Sequence, residues 1–270
     1  MDYQTLSLHV VDHIAEVRFN RPEKANALDE QAWKELLHLF QDLDTDSSVR
    51  VVILGGNGRH FCAGIDLTML MSLGNKLQGS CEGRKREAIR QQVRWLQSCI
   101  TAIEQCRKPV LAAVHGGCIG AGVDIITACD MRYASEDAYF SVKEIDMGLV
   151  ADLGTLQRLP RIVPEGLARE MAYTGRKVPA AEARQIGLLN QTFGTTDALQ
   201  AGVREIAASI AVKSPLVTRG IKEVMNYSRD HSIADALNYV ATWNAGMILS
   251  DDLYAAFQAA MKKETPVFCD

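Results

Sequence analysis

The first two thirds of the chain alternate between short apolar runs and amphipathic segments. Alternating apolar positions such as Leu6, Leu8 and Val10 predict strands, whereas the unbroken apolar run 110–114 is typical of a buried parallel strand. Apolar residues at helical spacing, as in 87–105, predict helices that cover a sheet. We therefore expect strands at 4–10, 13–19, 49–54 and 110–114, and helices at 29–43, 87–105 and 123–129.

After Asp152 the pattern becomes mainly helical, and 188–193 is the one late segment with strand character. The earlier alternation of strands and helices favours an α/β fold with a parallel sheet. We expect this core to span 1–195 and a helical region to span 196–270, whereas the polar residues 74–88 predict a mobile insertion. The late helices are expected at about 155–160, 164–174, 180–186, 196–212, 215–227, 231–248 and 250–263.

Composition narrows the class of protein. The chain has 270 residues, of which 47% are apolar, and a formal net charge of -4, so it can bury a large core and lacks the basic excess typical of nucleic-acid binding. Its start does not resemble a signal peptide and no apolar run reaches membrane-spanning length, so we expect a cytoplasmic protein without membrane contact. The seven cysteines form no CxxC pair and predict reduced thiols, and no spacing of His, Cys and Asp indicates a metal site.

Glycine-rich turns connect a strand to a helix at two places, near Ala63–Leu67 and near Gly117–Asp124. Glycine lets the backbone approach a ligand closely because no Cβ intervenes, and the first N–H groups of a helix have no internal acceptor. Two such N–H groups aimed at one carbonyl oxygen form an oxyanion hole, which stabilises the enolate that develops when the adjacent carbon loses a proton. A thioester is the candidate substrate group.

Three carboxylates, Asp124, Glu144 and Asp152, accompany the second turn. Carboxylates beside such a carbon can act as general base and general acid, and an apolar pocket would raise their pKa toward neutrality. Each signal also has a structural interpretation, because Asp124 can complement a helix dipole and Glu144 and Asp152 can be solvated loop residues. The residue types alone leave both interpretations open.

Several short motifs follow one another in a characteristic order along nearly the whole chain. They are Arg21-Pro22 with Asn26-Ala27-Leu28, Phe61 to Leu67, Pro109 to Gly116, Gly120-Ala121-Gly122, Gln157-Arg158-Leu159, and Tyr173 to Arg176 with Ala180, Ala183 and Gly187-Leu188. In order and spacing they resemble the enoyl-CoA hydratase/isomerase (crotonase) superfamily. The resemblance implies a spiral of ββα units with a helical C-terminal trimerisation region, in homotrimers that often pair into hexamers.

The resemblance also implies an acyl-CoA substrate and no separate cofactor. The thioester oxygen would lie between the backbone N–H groups of Ile65 and Ala121. Gly122 is the neighbouring alternative, because the family usually has glycine where this chain has Ala121. CoA would lie along Lys24, Ala25, Ala27, Ala63, Gly64, Asp66 and Leu67, with Phe257 and Lys263 of the last helix at its nucleotide end.

The acids indicate a branch of the superfamily. A typical hydratase has Glu at the positions matching 124 and 144 and Gly at 152. The trio Asp124, Glu144 and Asp152 is instead similar to the Δ3,5-Δ2,4-dienoyl-CoA isomerases of unsaturated fatty-acid β-oxidation. By this resemblance our hypothesis assigns Asp152 to the proton at C2, Glu144 to the distal carbon, and Asp124 to orienting or tuning the pair.

Three alternatives compete with the isomerase hypothesis. A 2-enoyl-CoA hydratase would use Asp124 and Glu144 to hold a water, although Asp152 would then be unexplained. A dinucleotide-binding protein would use Gly117, Gly120 and Gly122, although their spacing is GxxGxG rather than GxGxxG. A non-enzymatic binding protein on the same scaffold would leave the acids without a role.

Overall fold

The protein is described here by a computed structural model covering residues 3–76 and 81–270. A mainly parallel sheet forms its centre, with a small second sheet beside it. The strands are β1 (Leu6–Val11), β2 (Ile14–Phe19), β3 (Val51–Gly56), β4 (Val110–Val114), β5 (Gly117–Ile119), β6 (Met131–Ser135), β7 (Tyr139–Ser141), β8 (Val178–Pro179) and β9 (Gln191–Phe193). The larger sheet has the order β1-β2-β3-β4-β6-β9, in which only the β1–β2 pair is antiparallel, and the smaller has the order β5-β7-β8.

Helices cover both faces of the larger sheet and form the end of the chain. They are α1 (Glu30–Thr45), α2 (Leu67–Lys76), α3 (Glu82–Gln105), α4 (Ala121–Ala128), α5 (Thr155–Arg158), α6 (Glu165–Thr174), α7 (Ala180–Gln185), α8 (Thr196–Ala211), α9 (Pro215–Ser228), α10 (Ile233–Met247) and α11 (Asp251–Lys262). Short 3-10 segments lie at Pro22–Lys24, Lys143–Met147 and Leu159–Arg161. No helix in the described part of the chain has both the length and the apolar character needed to cross a bilayer.

The apolar run in β4 reflects burial on both faces of the sheet. Val110 and Ala112 face the cluster that includes residues of α1, α3 and α4, whereas Leu111 and Ala113 face the cluster under α8. Because side chains alternate along a strand, a strand that is covered on both sides needs apolar residues at every position. The sheet is therefore a rigid central layer, and it fixes the position of the turns at the carboxyl ends of its strands.

Most elements lie within a few residues of the sequence predictions, and 110–114 is confirmed without change. The predicted insertion at 74–88 is helical where the structure describes it, because 74–76 end α2 and 82–88 begin α3, and its mobility stays a prediction. Residues 77–80 of that prediction lie outside the described residues. The sequence patterns did not indicate β5, β6 or β7.

The C-terminal helices differ in where they pack. Helix α8, which the sequence analysis assigns to the region 196–270, lies on the larger sheet through the buried residues Leu199, Val203 and Ala207. Helix α10 has no buried residue, although it is rich in apolar side chains such as Ile233 (81% exposed) and Leu237 (62% exposed). Part of the helical region therefore presents an apolar surface that its own chain leaves uncovered.

Candidate active site

The two glycine-rich turns predicted from the sequence lie against each other. The Cys62 N–H donates to the Gly117 carbonyl at 3.1 Å, and the Ile119 N–H donates back to the Cys62 carbonyl at 2.9 Å. Gly64 has a φ of +93°, and a Cβ at this position would lie 3.0 Å from the Ile119 oxygen and 3.5 Å from the Ala121 nitrogen. Glycine is required here because only it combines this backbone conformation with so close an approach.

Three backbone N–H groups at this junction lack an acceptor among the described residues. Within α4, Val123 and Asp124 donate to the Gly120 carbonyl at 2.7 and 3.4 Å, which leaves the N–H groups of Ala121 and Gly122 free. On the other turn, the Ile65 N–H is free. The Ala121 nitrogen lies next to Gly64 and so close to Ile65, whereas Gly122 packs against Cys62 and Cys118. The geometry thus favours Ile65 and Ala121 as a pair of donors.

Asp124 is buried at the start of α4, and only one of its two carboxylate oxygens has a hydrogen-bond partner among the described residues. It is 1% exposed, and its Oδ1 accepts the Thr155 N–H at 2.6 Å. Its Oδ2 is buried and has no hydrogen-bond partner among the described residues. Burial raises the pKa of Asp124 to about 6, although hydrogen bonding to Thr155 opposes the shift. Asp124 can therefore exchange a proton near neutral pH.

Glu144 lies beside the free N–H groups. It follows β7 in the segment Lys143–Met147, and a Cβ placed on Gly120 would lie 3.3 Å from Glu144 Oε1. Its Oε2 is buried without a partner among the described residues. Burial, followed by the charge of Asp124, raises the pKa of Glu144 to about 7, so both protonation states are populated near neutrality.

Asp152 is the most accessible of the three acids. Its side chain is exposed, yet enough protein surrounds the carboxyl to raise its pKa by desolvation. The Gln97 Nε2 donates to the Asp152 carbonyl oxygen at 2.7 Å and so ties this loop to α3. The charge of Asp152 raises the pKa of both Asp124 and Glu144, which shows that the three carboxyls share one electrostatic environment.

The segments predicted to bind CoA are brought to the same place. The Ala63 N–H donates to the Ala25 carbonyl at 3.0 Å, and the Leu28 N–H donates to the Gly64 carbonyl at 2.8 Å. Asn26 holds this turn in the left-handed region, with a φ of +57°, and its Nδ2 donates to the His60 carbonyl at 2.8 Å. The two segments predicted to bind CoA, 24–27 and 63–67, therefore lie against each other beside the Ile65 N–H.

Leu67 begins α2, and Asp66, which directly precedes it, acts as a structural anchor. Its Oδ1 accepts the Thr68 N–H at 3.0 Å, and its Oδ2 lies 3.3 Å from the Arg21 guanidinium. Hydrogen bonds from Thr68 hold the pKa of Asp66 below its usual value despite partial burial. Lys24 and Leu67 are exposed and free to contact a ligand.

No hydrogen bond or ion pair among the described residues joins Phe257 or Lys263 to these segments. The tail after α11 is anchored elsewhere, because Arg50 donates to the Phe268 carbonyl at 2.7 Å and Arg219 pairs with Asp270 at 2.7 Å. Arg50 directly precedes β3 and so lies at the opposite end of this strand from the glycine turn that follows it. Contact of Phe257 and Lys263 with CoA stays a prediction.

The sequence motifs do not reveal which residues hold the acids in place. Thr155 supplies the N–H that fixes Asp124, and Gly120 leaves room for Glu144. No local signal marks Thr155, because it lies 31 residues from its partner. The described part of the chain contains no group of three or more His, Cys, Asp or Glu side chains arranged for a metal ion.

The sequence profile of the family "Enoyl-CoA hydratase/isomerase" matches residues 10–268. The chain belongs to the enoyl-CoA hydratase/isomerase family. It is 50% identical over 250 residues to the peroxisomal Delta(3,5)-Delta(2,4)-dienoyl-CoA isomerase of Arabidopsis thaliana, covering 92% of this chain and 90% of that protein. It is 42% identical over 267 residues to the mitochondrial enzyme of that name from Homo sapiens, covering 97% of this chain and 81% of that protein.

Solved structures of this family confirm the predicted fold. The enoyl-CoA hydratase of Bacillus anthracis superposes with a TM-score of 0.89 at 30% identity, covering 98% of this chain and 99% of that structure. The crotonase-like arrangement of ββα units with a helical C-terminal region is therefore the fold of this chain. The family match gives no support to the dinucleotide-binding alternative.

The raised pKa of Asp124 predicts a cost in stability above neutral pH. The folded pKa of about 6 lies above the ordinary aspartate pKa of 3.8 expected in the unfolded chain, so the folded state binds this proton more tightly. The stabilisation is fully present below the unfolded pKa and is lost as pH rises through the folded pKa. Asp124→Asn, which can still accept from Thr155, is therefore expected to raise the free energy of unfolding at pH 8 by on the order of 2–3 kcal/mol.

Urea denaturation at pH 4 and pH 8 measures this effect. Asp46→Asn is the control with the opposite sign, because hydrogen bonds from Ser48 lower the pKa of Asp46. An equal gain for Asp124→Asn at both pH values would contradict the titration argument and indicate a packing effect instead.

Proposed function

We propose that the protein is a Δ3,5-Δ2,4-dienoyl-CoA isomerase. The observation that carries this proposal is the set of three acids with raised pKa values beside the free N–H groups of Ile65 and Ala121. The relatives of 42–50% identity that carry the isomerase name support it, whereas the hydratase structure is only 30% identical.

In the proposed reaction the substrate thioester oxygen accepts hydrogen bonds from Ile65 and Ala121. Asp152, in its ionised form, removes a proton from C2, and the electron pair delocalises through the diene onto the thioester oxygen as a dienolate. The two N–H groups stabilise this charge. Glu144, in its protonated form, then delivers a proton to C6 as the electrons return, which leaves double bonds at C2 and C4. The substrate loses one proton and gains one, so no separate cofactor is required. Asp152 then releases its proton to solvent and Glu144 takes one up, which restores both acids for the next turnover.

The environments of the acids fit these roles. The deeper desolvation of Glu144, with a pKa of about 7, keeps a proton available for donation near neutrality. Asp152 is more accessible and is therefore the better candidate for the ionised base. The charge of Asp124 interacts with both Asp152 and Glu144. Its Oδ1 is fixed by Thr155, which leaves Oδ2 to orient or tune the other two acids.

The proposal includes an acyl-CoA partner and assembly into trimers or dimers of trimers. One face of α9 exposes Val217, Ile221 and Met225 at helical spacing, next to the uncovered apolar side chains of α10. Association of copies would cover this surface and would bring α11, with Phe257 and Lys263, to a neighbouring subunit. Sedimentation velocity of the intact chain distinguishes monomer, trimer and hexamer.

A cytoplasmic location, with no nucleic-acid or membrane partner, remains the prediction from the sequence. The similar isomerases are named peroxisomal or mitochondrial. Fluorescence localisation of the full chain in its own cells tests the prediction, and a role in unsaturated fatty-acid β-oxidation is part of the same proposal.

The decisive assay follows the absorbance of a 3,5-dienoyl-CoA after addition of the purified protein. Growth of the conjugated 2,4-dienoyl thioester band is expected, with crotonyl-CoA as a parallel substrate. Loss of the crotonyl-CoA enoyl band alone would overturn the proposal in favour of hydration. Binding of CoA esters without either reaction would favour a binding protein.

A further inference from the structure

A polar face of α3 lies against the loop that carries Asp152. Gln97, Thr101 and Glu104 are spaced four and three residues apart, so they share one side of the helix. Gln97 donates to the Asp152 carbonyl at 2.7 Å, and the other two contact Arg158 at the end of α5. The proton-transfer mechanism gives none of these residues a role.

Arg158 occupies a largely buried position between α3 and this loop. Its Nη2 lies 2.7 Å from Glu104 Oε2 and 3.5 Å from Thr101 Oγ1, and its Nη1 donates to the Leu153 carbonyl at 3.4 Å. Glu104 also binds Arg229 at 2.5 Å. Burial would raise the pKa of Glu104, but hydrogen bonding and charge from Arg158, with help from Arg229, hold it below the usual value. The pair is therefore ionised and geometrically fixed.

The guanidinium group of Arg158 also packs on the backbone of Gly154. Gly154 has a φ of +128°, and a Cβ at this position would lie 1.8 Å from Arg158 Nη1. A residue with a side chain could not adopt this conformation beside Arg158. Arg158 thus contacts the loop at Leu153 and Gly154, between the two residues that matter for the chemistry.

Those two residues are Asp152 and Thr155. Asp152 directly precedes the contacted residues, and Thr155 directly follows them and fixes Asp124 through its N–H at 2.6 Å. The charged groups that face Asp124 are Asp152, Glu144 and Arg158, and the positive charge of Arg158 favours the ionised form of Asp124. A shift of this loop would move one carboxylate and release another.

We propose that Arg158, seated on Glu104, is a positioning residue for proton transfer, because it fixes the loop that orients Asp152 and Asp124. The inference rests on the proposed isomerase function. Small displacements of reacting groups are costly, and a misplacement of about 1 Å can reduce the rate on the order of 100-fold. The expected signature is a loss in kcat with little change in KM.

The test compares Arg158→Met, Arg158→Lys and Glu104→Gln with the wild-type chain on a 3,5-dienoyl-CoA. Arg158→Met is expected to lower kcat roughly 10- to 100-fold. Arg158→Lys is expected to recover part of this loss, since lysine restores the charge but cannot contact Glu104 and Leu153 together. Urea denaturation should also show a larger loss of stability between pH 4 and pH 8 in Arg158→Met, because Asp124 loses a nearby positive charge and its folded-state pKa rises further.

Arg161→Met is the matched control. Arg158 and Arg161 both line a cavity of about 520 Å³, but the Arg161 side chain is 49% exposed and pairs with Asp230 rather than with the loop. It should keep the wild-type kcat and pH profile. An inactive wild-type chain would overturn the proposed function itself. An active wild type with unchanged kcat in Arg158→Met would overturn the positioning role alone.

If Arg158→Met fails to fold, as judged by circular dichroism, Glu104→Gln decides the question. This variant keeps the size of the side chain and a hydrogen-bond acceptor but loosens the ion pair. A lower kcat at unchanged KM supports the inference. Wild-type kinetics in Glu104→Gln, or a change confined to KM, contradicts it.

Discussion

Asp152→Asn is expected to lower kcat on a 3,5-dienoyl-CoA by roughly 10²- to 10⁴-fold, the usual contribution of a general base. Asparagine has nearly the same shape but cannot accept the C2 proton. The loop should keep its position, since Gln97 binds the backbone carbonyl of residue 152 and not its carboxyl. Growth of the 2,4-dienoyl band gives kcat, and calorimetric titration with a non-reactive acyl-CoA gives the affinity, which should change little.

Asp146→Asn is a suitable control, because Asp146 is an exposed acid close in sequence to Glu144 whose side chain pairs with Lys143. Its kinetics should match the wild type. Loss of acyl-CoA binding in Asp152→Asn would make Asp152 structural, and full turnover in that variant would assign the base to another residue.

Glu144→Gln is expected to reduce formation of the 2,4-dienoyl product by roughly 10²- to 10⁴-fold while proton removal at C2 continues. Asp152 can still form the dienolate, but the protonated acid that would deliver a proton to the distal carbon is absent. Asp152 then returns a solvent-exchanged proton to C2. In D₂O, mass spectrometry of the recovered substrate should therefore show deuterium at C2 without isomerisation.

The two variants together assign the order of proton transfers. Asp152→Asn should show neither exchange nor product, because the dienolate does not form. Exchange in Asp152→Asn and none in Glu144→Gln would reverse the two assignments. Absence of exchange in both variants, with binding intact, would mean that the two acids act as a unit.

Elements with a complete local signal could be predicted from the sequence. Strand β4 was predicted to the residue because burial on both faces requires an unbroken apolar run. Strands β5 and β7 have three residues each and exist because they pair with each other, so neither shows a period of its own. The helical structure of 74–76 and 82–88 was not predicted, because polar, glycine-containing sequence can still extend exposed helices.

The residues of the candidate site likewise differ in whether a local sequence signal marks them. The three acids and both glycine turns were found because residue type and family spacing mark them. The supporting roles of Thr155 and Arg158 were not predicted, since Thr155 reaches Asp124 across 31 residues and Arg158 reaches Glu104 across 54. Such contacts depend on how α3, α4 and α5 are packed, which no local pattern encodes. The raised pKa values likewise depend on burial and therefore on the whole fold.

Helix α10 buries none of its residues within its own chain. An amphipathic or apolar helix of this length gains little stability in water without packing. In the proposed oligomer, order in the last part of the chain is therefore linked by mass action to the concentration of the protein itself. Dilution of the pure protein should lower its melting temperature progressively, and the C-terminal helices should become the first segment open to proteolysis.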